Sequence, residues 1–162
     1  MTFAGEEFFT ESRTLLWERL TETAFVSRCL PDVEGSARCE PHIVECRVAP
    51  RLAFLRGTLQ IRLELVGQQA GESSRMQIQA RGIGSSIEVL TTLEFSDIVA
   101  ASGASNDNEG QHRTKVRWTA EVQRVGGLLK PVGKSLIEAA ARKVIADGWA
   151  RVREQLAADC FK

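Results

Sequence analysis

The chain has 162 residues with 21 basic and 21 acidic side chains, so its formal net charge is zero. A chain of this length buries about 70% of its unfolded surface, which predicts one domain over residues 1–162. The balanced charge and the lack of a basic stripe argue against nucleic acid as a partner. No apolar run approaches the ~20 residues of a membrane span, and the N-terminus is acidic where a signal peptide is basic. We therefore expect a cytoplasmic protein with at most peripheral membrane contact.

The first thirty residues carry one strand signal and two helix signals. Residues 2–9 predict a strand, and Thr10 or Ser12 can cap the helix that follows. A second short helix is predicted from Glu22 to Cys29. It must end before Pro31, because the residue that precedes a proline avoids the helical region.

From Glu34 onward, apolar and polar residues alternate, which indicates half-buried antiparallel strands. The apolar sets of successive strands are Val44, Cys46 and Val48; Leu55, Leu59, Ile61, Leu63 and Leu65; Met76, Ile78 and Ala80; Ile87, Val89, Thr91, Leu93 and Phe95; and Val116, Trp118, Ala120 and Val122. The segment 100–110 is rich in serine, asparagine and glycine and predicts a hairpin loop.

The strongest helical signal follows Gly126 and Gly127. Pro131 suits a first helical turn, and apolar residues recur at three- and four-residue spacing over about 27 residues, or roughly 40 Å. Small alanines on this helix favour a cavity between helix and sheet. Trp118, Trp149 and the seven phenylalanines of the chain favour a packed core instead, and the sequence leaves both alternatives open.

Six short motifs follow one another in order along the chain. They are Gly5-Glu6-Glu7-Phe8, Cys29-Leu30-Pro31-Asp32-Val33-Glu34, a lone Gly57, Gly82 to Gly84, Thr114-Lys115-Val116 and Gly126-Gly127-Leu128. Their order and spacing resemble the CoxG family of carbon monoxide dehydrogenase proteins, within the START-like, Bet v 1-like superfamily. One departure is Asp32, where such relatives usually have a glycine.

The resemblance implies an α+β helix-grip fold. In that fold a curved antiparallel sheet of about seven strands surrounds a long C-terminal helix, and two short helices follow the first strand. It also implies a lipophilic cavity between the sheet and the long helix. Strand parity and this fold together predict the lining residues Leu30, Pro31, Val48, Leu59, Ile61, Met76, Ile78, Ile87, Val89, Leu93, Val116, Trp118, Leu136, Ala140 and Val144.

The turns at one end of the sheet are predicted to form the mouth of the cavity. They carry a mildly basic rim of Asp32, Arg51, Arg81, Arg124 and Lys130, which would meet an anionic or polar head group. The alternative is that these are solvated turn residues with no role in ligand binding.

The candidates for acid–base chemistry are weak. His42 and His112 share the parity of the apolar face, but each begins a strand at the end opposite the mouth, and Asp97 is expected to end its strand. Cys46 is predicted to be an inert inward thiol, whereas Cys29 beside the mouth is the more exposed candidate. We therefore predict reduced cysteines and no catalytic residue, metal site or cofactor.

Three functional classes stay open. The first is a non-catalytic carrier of a hydrophobic small molecule, such as a lipid or a quinone. The second is an accessory or membrane-recruitment factor for a molybdenum hydroxylase complex of the carbon monoxide dehydrogenase type, which follows from the resemblance alone. The third is a lyase or cyclase acting on a bound polyketide-like substrate, which needs an ionisable group inside the cavity.

Overall fold

The computed structural model describes residues 1–52, 56–98 and 112–159. The element order is one strand, two helices, six strands and one long helix, as the sequence predicted. The elements are β1 (Thr2–Phe9), α1 (Arg13–Leu20), α2 (Thr23–Cys29), β2 (Val33–Cys39), β3 (Ile43–Val48), β4 (Leu59–Gln69), β5 (Ser73–Gly82), β6 (Ser85–Asp97), β7 (Thr114–Gly127) and α3 (Lys134–Asp159). The hairpin loop predicted for 100–110 lies outside the described residues.

The strands form one antiparallel sheet in the order β1-β7-β6-β5-β4-β3-β2. Across the β6/β7 pair, Leu93 faces Trp118 and Phe95 faces Val116, so the predicted apolar parities meet on one face, here called the inner face. This confirms the α+β helix-grip fold. No helix in the described part of the chain is both long and apolar enough to cross a membrane.

Local signals explain where the short helices begin and end. Ser12 is the cap of α1, since its backbone is extended and its hydroxyl accepts a hydrogen bond from the Leu15 amide at 3.3 Å. The second helix ends at Cys29, and Leu30 is extended as the following proline requires. The prediction for Pro131 was wrong, because α3 begins only at Lys134. The residues before it form a turn in which the Val132 amide donates to the Leu129 carbonyl at 3.2 Å.

The apolar side chains form two clusters at the two ends of the inner face. The base cluster consists of the buried residues Phe9, Leu16, Leu20, Phe25, Val26, Cys29, Val44, Leu63, Leu65, Met76, Leu93, Phe95, Val116, Val152 and Leu156. The mouth cluster consists of Cys46, Val48, Leu59, Ile61, Ala80 and Leu129. Half-buried Leu30, Ala37 and Ile78 contact both clusters.

The predicted grouping of turns at the mouth is confirmed. The Ala49 amide donates to the Asp32 carbonyl, and the Leu128 amide donates to the Gly84 carbonyl, each at 3.0 Å. Asp32 adopts φ 60°, in the left-handed region that favours glycine. Aspartate tolerates this region better than most residues other than glycine, which explains how Asp32 can occupy the position.

Candidate functional site

The long helix α3 is buried in its C-terminal half only. Its buried residues are Val152 and Leu156, both in the base cluster. Ala141 and Ile145 lie within about 20° of Val152 around the helix axis, yet both are only half-buried. The apolar side of α3 therefore continues toward the N-terminus without being covered.

Contacts with β1 define the position of α3 along the sheet. The Arg142 guanidinium lies 5.5 Å from the centre of the Phe3 ring, and the Trp149 ring lies 6.0 Å from that of Phe9. Val132, just before the helix, packs against the mouth cluster. The N-terminal half of α3 therefore runs from the mouth toward the base, alongside β1.

The inner face of the sheet shows the same gradient of burial. Leu93 and Val116 are buried near the base, at 2% and 0% exposure. Toward the mouth, Ile78, Ile87 and Val89 are only half-buried although they are apolar and face inward. The region between the half-buried side of α3 and these residues is here called the α3 cleft.

The C-terminal half of α3 is anchored by charged contacts. Arg153 lies 2.8 Å from the Glu7 carboxylate, donates to the Phe8 carbonyl at 2.9 Å, and stacks 4.3 Å from the Phe9 ring centre. At the end of the helix, Asp159 pairs with Arg19 at 3.5 Å. These contacts hold α3 at its base end.

Trp118 lies on the inner face beside β1 and packs against the base cluster. Its partner across the strands is Gly5. A Cβ atom at Gly5 would come within 2.7 Å of the indole, so only glycine lets the ring lie in this position. The indole nitrogen Nε1 is buried and has no hydrogen-bond partner among the described residues.

The structure distributes the predicted lining residues over three places. Half-buried positions between the clusters or along the α3 cleft are occupied by Leu30, Pro31, Ile78, Ile87, Val89 and Trp118. Ala140 is also half-buried, but it lies about 120° from Val152 around the helix axis. Met76, Leu93 and Val116 lie in the base cluster, and Val48, Leu59 and Ile61 lie in the mouth cluster.

Two predicted lining residues on α3 are exposed. Leu136 is 56% exposed and Val144 is 43% exposed. Around the helix axis Leu136 is about 160° from Val152 and Val144 is about 80° from it, so the structure does not bring Leu136 to the cleft. Ala141 and Ile145 were missed as cleft residues. Projecting the helix back from its buried end would have found them.

The predicted rim is only partly assembled. Arg51 Nε lies 3.7 Å from Asp32 Oδ1, so these two side chains meet at the mouth. Arg81 follows the inward Ala80 and therefore points to the opposite, outer face, where Arg124 also lies, paired across the strands with Glu88. Lys130 is exposed in the turn before α3.

Two surface depressions lie away from the α3 cleft. One, of about 490 Å³, is lined at the mouth by Glu34, Ala49, Pro50, Arg51, Leu52, Arg56, Gly57 and Thr58. Leu55, which was predicted to belong to the apolar set of the following strand, lies outside the described residues. The other, of about 200 Å³ at the base, is lined by Phe8, Phe9, Thr10, Glu11, His112, Arg153, Leu156 and Ala157. Neither lies between the N-terminal half of α3 and the sheet.

The ionisable candidates lie outside the α3 cleft. His42 and His112 are exposed at the end opposite the mouth, as predicted. Asp97 is also exposed, ends β6 as predicted, and its carboxylate lies 3.5 Å from Arg13.

The environments of the cysteines differ from the prediction in one respect. Cys46 is buried as predicted, and burial raises the pKa of its thiol. Cys29 is buried rather than exposed, because α2 packs its side chain into the base cluster, and burial raises the pKa of Cys29 to about 12. Cys39 on the edge strand is exposed instead.

Sequence comparison identifies the family. The profile of the carbon monoxide dehydrogenase CoxG family matches residues 5–157. The chain belongs to the CoxG family. This confirms the resemblance inferred from the motifs. Family and fold together suggest a binding or accessory protein. No curated protein matches the chain.

Solved structures of several bacterial proteins have the same fold. A conserved protein from Geobacillus kaustophilus has a TM-score of 0.80 at 14% identity, over 97% of this chain and 95% of that chain. A putative uncharacterized protein from Rhizobium leguminosarum has a TM-score of 0.64 at 13% identity, over 97% and 94%. A protein of unknown function from Staphylococcus aureus has a TM-score of 0.63 at 8% identity, over 100% and 96%. At these identities the likeness concerns the fold alone.

Proposed function

We propose that this CoxG family member is a non-enzymatic, cytoplasmic carrier that holds a hydrophobic small molecule, lipid-like or quinone-like, in the α3 cleft. The observation that carries the proposal is the incomplete burial of apolar side chains on both walls of the cleft. On the sheet these are Ile78, Ile87 and Val89, and on the helix they are Ala141 and Ile145.

Covering these half-buried apolar side chains would provide enough free energy to bind a ligand. A guest that covers about 200 Å² of apolar surface gains about 5 kcal/mol, which corresponds to a dissociation constant between about 1 mM and 1 μM before ordering costs. Apolar surface of the guest itself adds to this gain. The cleft can therefore support reversible binding, which is what a carrier requires.

The positions of the acid–base candidates that the sequence offered favour a carrier over a lyase or cyclase. Acid–base catalysis needs a titratable group within hydrogen-bond reach of the substrate. The candidates that the sequence offered, His112 and Asp97, lie away from the cleft. Ile87, Val89 and Ile78 offer a guest only carbon atoms.

Native mass spectrometry of the purified protein tests the carrier proposal. We expect an apolar adduct on the wild-type chain that organic solvent extracts. Ala141→Trp fills the cleft and should abolish the adduct, whereas Ala139→Trp places the same side chain on the exposed side of α3 and should retain it. An adduct that survives in a folded Ala141→Trp variant would contradict this assignment of the binding site.

Membership of the CoxG family supports a second proposal, an accessory or membrane-recruitment role for a molybdenum hydroxylase complex. The supporting observation is the family match over residues 5–157. Affinity purification of the tagged chain from its native cells should recover the hydroxylase, and the Ala141→Trp variant shows whether the cleft contributes to the complex. Recovery of no hydroxylase from cells that express one would contradict this role. The two proposals are compatible.

A further inference from the structure

Trp118 combines an unpaired donor with incomplete burial on the inner face of the sheet. Its Nε1 atom is buried beyond the reach of water and has no hydrogen-bond partner among residues 1–52, 56–98 and 112–159. A buried N–H group without an acceptor loses its hydration and gains nothing in return. The observed position of the Trp118 indole is therefore unfavourable for its N–H group.

The surroundings of Trp118 explain how the indole is held and how it can turn. The side of the ring that carries Nε1 rests over Gly5, with Nε1 3.0 Å from where a Cβ atom would be. The residue as a whole is only half-buried. A bound molecule reaches Nε1 only if a rotation about the χ2 torsion turns the N–H group from β1 toward the cleft.

We propose that Trp118 is a specificity-determining residue whose indole N–H donates a hydrogen bond to a neutral acceptor oxygen, a carbonyl or a hydroxyl, on the bound molecule. This inference rests on the proposed carrier function. It narrows the ligand class from any apolar molecule to one with an acceptor at the end that lies beside β1 and β7. The indole N–H group is an uncharged donor, so a neutral acceptor loses less hydration than a carboxylate when it leaves water to bind there.

The proposal is tested with two probes that differ by one carbonyl oxygen. 2-Acetylnaphthalene carries a carbonyl acceptor, and 2-ethylnaphthalene has the same aromatic body without one. Wild-type protein should bind the acetyl probe about tenfold more tightly, equal to 1.4 kcal/mol. Trp118→Phe should lower the ratio of the two affinities about tenfold. Trp149→Phe, which removes an indole near the base, should keep the wild-type ratio.

An NMR measurement on the wild-type chain avoids any dependence on variant folding. The three tryptophans give three indole N–H signals, and the variants assign them. The Trp118 signal should move downfield with the acetyl probe only. A preference for the acetyl probe that persists in folded Trp118→Phe, or a Trp118 signal that responds equally to both probes, would overturn the role of Trp118. Equal binding of the two probes to wild type refutes this inference alone, whereas failure of both to bind refutes the carrier proposal as well.

Discussion

Replacing Ala141 with tryptophan tests whether the space beside α3 is open, because the sign of the stability change differs between an open cleft and a packed core. Ala141 lies within about 20° of the buried Val152 around the helix, but it is only half-buried. Ala139 is exposed and lies about 140° from Val152. The same substitution at Ala139 is therefore a matched control.

The expected magnitudes follow from the burial of the new side chain. Tryptophan costs a helix up to about 0.7 kcal/mol relative to alanine, and this cost applies to both variants. In an open cleft the Ala141→Trp indole covers about 100 Å² of apolar surface, worth about 2.5 kcal/mol, and loses about 0.5 kcal/mol of side-chain entropy. We expect Ala141→Trp to be more stable than Ala139→Trp by about 2 kcal/mol.

If the interior is packed, the stability difference between the two variants has the opposite sign. Forcing an indole into a filled space costs about 1–3 kcal/mol, so Ala141→Trp would then be the less stable variant. Urea denaturation of the two variants and the wild-type chain measures the difference. In thermal unfolding a gain of 2 kcal/mol raises the Tm by about 4–8 °C. A folded Ala141→Trp variant that is less stable than Ala139→Trp would refute the open cleft.

Three further predictions concern the surroundings of the cleft and the thiols. Gly5→Ala should lower the free energy of unfolding by about 1–3 kcal/mol, because the new Cβ atom meets the Trp118 indole. Gly67→Ala in β4, where the nearest neighbour is 3.6 Å away, should not lower it. Equal effects of the two substitutions in urea denaturation would contradict the close packing of Gly5 against Trp118. Ser12→Ala should cost about 1 kcal/mol by removing the α1 cap, and no change in the urea midpoint would contradict that cap. In a variant whose C-terminal cysteine is replaced by serine, Cys39 should react with a disulfide reagent at pH 8 while Cys29 stays protected. Rapid modification of native Cys29 at pH 8 would contradict its burial. Because the pKa of Cys29 is raised from 9.0 to about 12 in the folded state, its contribution to the free energy of unfolding is complete below pH 9 and is lost as the pH rises toward 12.

The strands were predictable because one face of the sheet is covered and the other is not. Period-two alternation then assigns each side chain to a face, and Val44, Cys46 and Val48 are all buried as predicted. The caps of the short helices were likewise local signals, a hydroxyl at Ser12 and a proline at position 31. Asp32 shows the limit of such signals, since its positive φ is not evident from an aspartate alone.

The cleft was less predictable because it depends on the relative position of two elements. Apolar residues of α3 have helical spacing on more than one side, and the sequence does not show which side packs on the sheet. Arg142 and Arg153 decide this through their contacts with Phe3 and Glu7 on β1. Those contacts are tertiary, so the exposure of Leu136 could not be derived from periodicity.

Calorimetric titration of 2-ethylnaphthalene into the wild-type chain, Ala139→Trp and Ala141→Trp measures directly whether the α3 cleft binds apolar molecules. If the α3 cleft binds apolar molecules, the wild-type chain and Ala139→Trp bind the probe with similar affinity, and Ala141→Trp binds it at least tenfold more weakly. The same affinity in all three folded proteins, or no binding to any of them, would contradict the account.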